Sequence, residues 1–159
     1  MGGFRSHYWA GAFAFFVLLI IIALIPLRTV HSEIKDIFWD WQRIPLLFCI
    51  SILAALWPDV DTNSKGQDIF YRIFVILDII LILMKKYAWA SILGLFAMLP
   101  IAGKHRGWTH TIWAAFLIPS PILLLPIYFG RSYTLIGLPY YLAALAGYIS
   151  HLLVDKKFL

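Results

Sequence analysis

A chain of 159 residues that is 62% hydrophobic, 17% aromatic and 13% charged falls well short of the charge content of a soluble domain, about 25%. The length suits one domain over 1–159 rather than two, and the apolar excess points to a bilayer as solvent. A net charge of +5 without a dense basic tract favours contact with anionic membrane lipids over nucleic acid, and the single Cys49 excludes an internal disulfide.

A helix that crosses a bilayer needs roughly 20 mostly apolar residues, with a range of about 17–25. The first run, 10–27, is too long for a signal-peptide core and has no cleavage site after it, so it reads as a retained helix. The preceding "MGGFRS" matches a myristoylation pattern but reads better as a short interfacial N-terminus. The longest polar stretch, 28–43, mixes charges of both signs. Its Trp39 and Trp41 predict an interfacial helix, and its His31 reads as a solvated loop residue. The second run, 44–57, is short and closed by Pro58. The third, 69–84, carries Arg72 and, near its middle, Asp78. The fourth, 87–101, is short; the fifth, 112–129, contains Pro119, Pro121 and Pro126 and should kink. The sixth is 133–154. The expected fold is an all-α membrane bundle of about six helices, some short or kinked.

Six crossings place the N-terminus, the second and fourth loops and the last helix end on one membrane face. His7 falls there, as do Asp59 and Asp61 of "PDVDTNS", His105 and His110 of "KHRGWTHT", and His151 and Asp155 of "GYISHLLVD". If the short second run only dips into the membrane, His7 alone leaves this set.

Histidines and carboxylates together suit a divalent transition metal. His151 and Asp155 are four residues apart and project from one side of a helix. Asp59 and Asp61 flank one residue after a proline-ended helix. His110 is placed to open the next helix, with Thr109 as its cap. Singly, each pattern could be a cap or a structural hydrogen bond. Jointly, ionisable groups gathered at a membrane are a functional signal. Arg106, between two candidate ligands, is positioned to bind a phosphate oxygen, with Lys104 beside it and Arg72 one turn into the third helix. The competing reading for these cations is head-group contact by snorkelling side chains.

The motifs "PDVDTNS", "HRGWTHT" and "GYISHLLVD", in this order after an N-terminal histidine, resemble the YdjM-like family of membrane-bound metal-dependent hydrolases, also described as LexA-binding, inner membrane-associated hydrolases. The resemblance covers most of the chain. It implies His7, Asp59, His105, His110, His151 and Asp155 as metal ligands, with Asp61 close by. That family is distantly similar to zinc-dependent phospholipases C and nucleases. The smaller ligand set here, without an N-terminal tryptophan ligand, argues against a three-zinc cluster.

Such a set exceeds the roughly three protein ligands of one catalytic zinc, which leaves room for one or two ions, with manganese or iron as alternatives to zinc. The expected activity is hydrolysis of a phosphoester in a lipid or lipid-linked substrate by a metal-activated water. Arg106 would stabilise charge, and Asp61 would orient a ligand or accept a proton. No "G-x-S-x-G" elbow supports a serine nucleophile. A membrane metal-binding or transport protein, or a partner-binding protein without catalysis, are the alternatives; transporters place ligands near mid-membrane, whereas these lie at helix ends. Basic residues are shared almost evenly between the faces, so orientation rests on Arg5 in a short N-terminus, which favours a site on the cytoplasmic face of a prokaryotic inner membrane.

Overall fold

A computed structural model describes residues 3–25, 32–61, 65–100, 107–130 and 135–155, and every regular element among them is helical. The helices are α1 (Phe4–Leu24), α2 (Ser32–Trp39), α3 (Ile44–Leu56), α4 (Lys65–Leu83), α5 (Tyr87–Met98), α6 (Ile112–Leu117), α7 (Ser120–Gly130) and α8 (Leu138–Val154). Tight 3-10 turns at Trp57–Asp61, Trp108–His110 and Leu135–Gly137 join or extend them. The fold is an all-α membrane helical bundle.

Among the described residues, three stretches are long and apolar enough to span a membrane: Phe4–Leu24, Ile112–Phe129 and Leu135–Val154. The other expected crossings are less complete. The 13 residues of α3 and 12 of α5 reach about 20 Å at a rise of about 1.5 Å each, short of a hydrocarbon core about 30 Å thick. Helix α4 has the length but carries Lys65, Asp68, Arg72 and Asp78. The proline-rich run does more than kink. Helix α6 ends at Leu117 and α7 restarts at Ser120, because Pro119 has no N–H to continue the ladder and disfavours helical geometry in the residue before it. Pro121 then sits in the first turn of α7, where a missing donor costs nothing, and Pro126 is carried inside it.

The surface agrees with a lipid environment. Phe13, Phe16 and Leu24 of α1, Val75, Ile76 and Leu83 of α4, and Trp113 and Leu117 of α6 are all exposed. So many large apolar side chains on several helices exceed what a water-soluble monomer tolerates.

At the centre, α1, α3 and α8 pack directly on one another. Between helices surrounded by lipid, the hydrophobic effect gives little, so close backbone contact through small residues must hold them. That contact is visible. A Cβ on Gly147 of α8 would collide with the Ser51 carbonyl of α3. One on Gly11 of α1 would lie 2.7 Å from Ala55 Cβ of α3. The Ser51 hydroxyl donates to the Gly11 carbonyl at 3.0 Å, tying α3 to α1.

This line of small residues sets the register of everything near the helix ends. One turn before Gly11 stands His7. Beyond Ser51, at four-residue steps, come Ala55 and Asp59. Beyond Gly147, at the same steps, come His151 and Asp155. Three helices clasped at their smallest residues therefore bring their polar residues to one place.

Candidate metal centre

Five side chains meet at this end of the bundle. His7 comes from α1, Asp59 from the turn after α3, His110 from the turn before α6, and His151 and Asp155 from the end of α8. All three histidines are buried: His7 and His151 completely, His110 to within 3% exposure.

Each histidine turns Nε2 toward both carboxylates. His7 Nε2 lies 3.5 Å from Asp59 Oδ2 and 3.4 Å from Asp155 Oδ1. His110 Nε2 lies 3.3 Å from Asp59 Oδ1 and 3.9 Å from Asp155 Oδ2. His151 Nε2 is 3.7 Å from those same two oxygens. The two carboxylates thus face His7 with one oxygen and His110 and His151 with the other. Rings of His7 and His151 stack with centroids 4.0 Å apart, and His110 meets His151 edge-on at 5.2 Å.

These separations are long for hydrogen bonds, whose N···O distances run about 2.7–3.2 Å, although the His110–Asp59 pair at 3.3 Å still makes one. They fit ligands around an ion better. Two donors each about 2.0–2.1 Å from one tetrahedral ion sit roughly 3.3–3.4 Å apart. Asp59, His110, His151 and Asp155 each offer a ligand atom within 4.8 Å of the others, so they can hold a metal ion.

The protonation pattern supports the same conclusion. His151 Nδ1 lies 2.8 Å from the carbonyl of Ala55, an acceptor only, so this nitrogen carries the proton. In the neutral ring Nε2 then holds a lone pair. That atom is buried and has no hydrogen-bond partner among the described residues. A bare lone pair aimed at two carboxylates is repulsive unless a cation lies between them. A backbone carbonyl that fixes the far nitrogen is a common device for orienting a ligating histidine. The His110 ring is held differently, with Nδ1 3.1 Å from the Thr109 hydroxyl, which can donate or accept. The Thr109 carbonyl in turn accepts the Tyr148 hydroxyl at 2.5 Å, which anchors the His110 turn to α8.

Burial alone would raise the Asp59 carboxyl pKa. The hydrogen bond from His110 and the fields of His151, His7 and His110 outweigh this and hold it below the usual carboxylate value. Asp59 stays ionised, as a ligand must. Its side chain is 30% exposed, so the cluster is reachable from that side.

One family model, described as YdjM inner membrane protein, matches residues 1–156. The chain belongs to the YdjM family. No curated protein and no solved structure matches it. Membership accords with the lipid-facing surface and sets the bundle in an inner membrane. The match takes in all five residues of the cluster.

The other residues singled out in this YdjM chain stand differently. His105, Arg106 and Lys104 lie outside the described residues, as do Gly2 and His31. Asp61 closes the turn after α3, and only its backbone is described. Arg72 is exposed on α4, with no hydrogen bond or ion pair to the cluster among the described residues. Asp78 lies inside α4 with Oδ1 buried and without a hydrogen-bond partner among the described residues. Two local expectations change. His110 ends a 3-10 turn rather than opening a helix, because Thr111 is extended and its Oγ accepts from Ala114 N at 3.2 Å. Thr111 is therefore the cap of α6, which frees Thr109 to bond His110. The roles of Ala55 and Tyr148 were not anticipated. A backbone carbonyl carries no mark in sequence; Tyr148, one turn before His151, offered a faint one.

Proposed function

We propose that this chain is a membrane-embedded, metal-dependent hydrolase that cleaves a phosphoester of a lipid or lipid-linked substrate at the membrane surface. The observation that carries the reading is the buried, hydrogen-bond-free Nε2 of His151, aimed at two carboxylates beside two further histidines. A polar cluster built only for stability would satisfy such an atom with a hydrogen bond.

His7, Asp59, His110, His151 and Asp155 are the proposed ligands, and His105, five residues before His110 in the sequence, is proposed as a sixth. The opposed oxygens of Asp59 and Asp155 suit one ion or a bridged pair. The histidines favour zinc, and the carboxylates would accept manganese or iron. When bound, the ion supplies Lewis acidity toward a phosphoryl oxygen and lowers the pKa of a water.

The chain's own groups do the positioning. The Ala55 carbonyl keeps the His151 lone pair turned inward, and the Thr109 hydroxyl restrains the His110 ring. Partly exposed Asp59 leaves the cluster a side from which a substrate can approach. We assign Asp61 to orienting a ligand or accepting a proton, and Arg106 and Lys104 to holding phosphate oxygens. Arg72 is a further candidate for head-group contact. The ligands gather at helix ends, as suits a surface reaction; a carrier would hold its cargo near mid-membrane. A cytoplasmic-facing site completes the proposal.

Elemental analysis of the purified protein tests it first. We expect stoichiometric metal in the wild type, and none in the His110→Ala, His151→Ala double variant. Phosphate or head-group release from lipid substrates should disappear with the metal. A protein that takes up no zinc, manganese or iron on reconstitution would rule the mechanism out.

A further inference from the structure

Beside the cluster lies a cleft of about 140 Å³, bounded by α3, α4, α5, α8 and the α6–α7 junction. Its lining is apolar or aromatic throughout, and includes Leu53, Trp57, Phe70, Phe96, Ile122 and Tyr148. Two of these residues belong to the frame of the metal centre. Trp57 stands two residues before Asp59, and the Tyr148 hydroxyl bonds the Thr109 carbonyl next to His110. The inner wall is deeply buried: Trp57, Phe70 and Tyr148 are 3%, 2% and 0% exposed. The outer rim is not. Leu53, Phe74, Phe96 and Ile122 are half-buried; α4 continues from Phe74 into lipid-facing Val75 and Ile76, and α7 from Ile122 into lipid-facing Leu124. An apolar void of this size, about 150 Å³ in a well-studied example, stays dry and accepts an apolar guest the size of benzene. The cleft therefore has the wrong chemistry for a head group and the right chemistry for a stretch of hydrocarbon.

We infer that this cleft seats one acyl chain of a membrane phospholipid, so that the phosphate of the same molecule lies at the histidine–aspartate cluster. The inference rests on the hydrolase reading for the second half of that statement, and on the cleft alone for the first. The occupant is an acyl chain because the rim is continuous with the lipid-facing surface, where acyl chains are the bulk solvent. The aromatic inner wall ends one turn or less from two ligands, so a chain entering from the rim is led toward the site. The cleft thereby sets the class of substrate: a phosphoester attached to a long hydrocarbon, rather than a soluble phosphate ester.

Photolabelling tests this. The full-length protein is placed in nanodiscs containing phosphatidic acid with a diazirine on the acyl chain, and labelled residues are mapped by peptide mass spectrometry. Lipid that merely surrounds the protein labels Val75, Ile76 and Leu83. A chain in the cleft labels Trp57, Phe70 and Tyr148 as well. We expect that inner label in the wild type, its loss in Ala54→Phe, which fills the cleft from a half-buried position, and metal content unchanged in that variant. Should Ala54→Phe fail to fold, Leu53→Phe at the rim serves the same purpose. Labelling confined to the outer residues, or inner labelling that neither variant reduces, overturns the inference. So does inner labelling found only with a diazirine-bearing polyprenyl phosphate, which would make the occupant an isoprenoid. Metal analysis of the same samples keeps the two proposals apart: inner labelling without metal retains the cleft and removes the hydrolase.

Discussion

His151 and Thr109 show how the centre is held at the scale of single residues. His151 presents a lone pair at Nε2 because its Nδ1–H donates to the Ala55 carbonyl, so removing the ring removes both that lone pair and that bond. Changing His151 to Ala should abolish stoichiometric metal binding, read by elemental analysis. Thr109→Val is more discriminating, since it keeps shape and removes the hydroxyl near His110 Nδ1. Losses of this kind weaken metal affinity by about 10–100-fold. A zinc competition titration against a chromophoric chelator should register a loss of that size, while the helical circular dichroism is unchanged. Unaltered affinity would mean that the hydroxyl only fills space. The convergence of His7, Asp59, His110, His151 and Asp155 was expected from a count of six crossings; the five do meet at one end of the bundle, although α3 and α5 are shorter than that count assumed. The partners that hold the far ring nitrogens could not be read from the chain. Thr109 looked like a helix cap, and only the extended backbone of Thr111 shows which threonine does that job.

Among the elements, α1, α3 and α8 depend on Gly11, Ser51 and Gly147. Gly147→Val inserts side-chain atoms where the Ser51 carbonyl already sits, and neither backbone can move without separating α3 from α8. Overpacking of this kind costs about 1–3 kcal/mol or more. We expect a lower midpoint in thermal unfolding in detergent, together with lost metal, because Asp59 and His151 are displaced with their helices. Ser51→Ala should separate the two effects. It deletes the hydrogen bond to the Gly11 carbonyl, worth about 0.5–1.5 kcal/mol, but keeps the close contact, so metal content should survive a modest fall in the midpoint. Helix boundaries were legible wherever one physical rule dominated. Pro58 and the prolines of 112–129 announced breaks, although the separation into α6 and α7 was deeper than a kink. Helix α1 starts at Phe4, ahead of the apolar run, because an aromatic, polar first turn is as helical as the lipid-facing turns that follow. The three-helix clasp was not legible. Gly11, Ser51 and Gly147 stand far apart in the chain, and nothing in their local sequence pairs them.

On the scale of the whole molecule, the lipid-facing surface and the sidedness of the site can be checked together. Cys49 lies exposed on α3, the short helix whose place in the membrane length alone leaves open. In sealed vesicles it should react with an apolar maleimide and resist a charged one until detergent is added. Ready reaction with the charged reagent in sealed vesicles would take that flank of α3 out of lipid. In a Cys49→Ser background, cysteines placed at Ser6 of α1 and at Thr111, the cap of α6, flank the cluster from two separate elements. With the site facing the cytoplasm, both should be shielded from a charged reagent in intact cells and exposed in inverted vesicles. Opposite behaviour of the two would contradict a one-faced centre.

The ligands also have an order in time. A ribosome makes His7 nearly 150 residues before Asp155. Translation proceeds at about 5–20 residues per second. For several seconds α1 therefore waits in the membrane beside α3 with an open set of donors, and the missing wall arrives only with α8. Until then the cluster is unfinished. It closes only when α8 brings Gly147 against Ser51, which makes the arrival of α8 the step that assembles it.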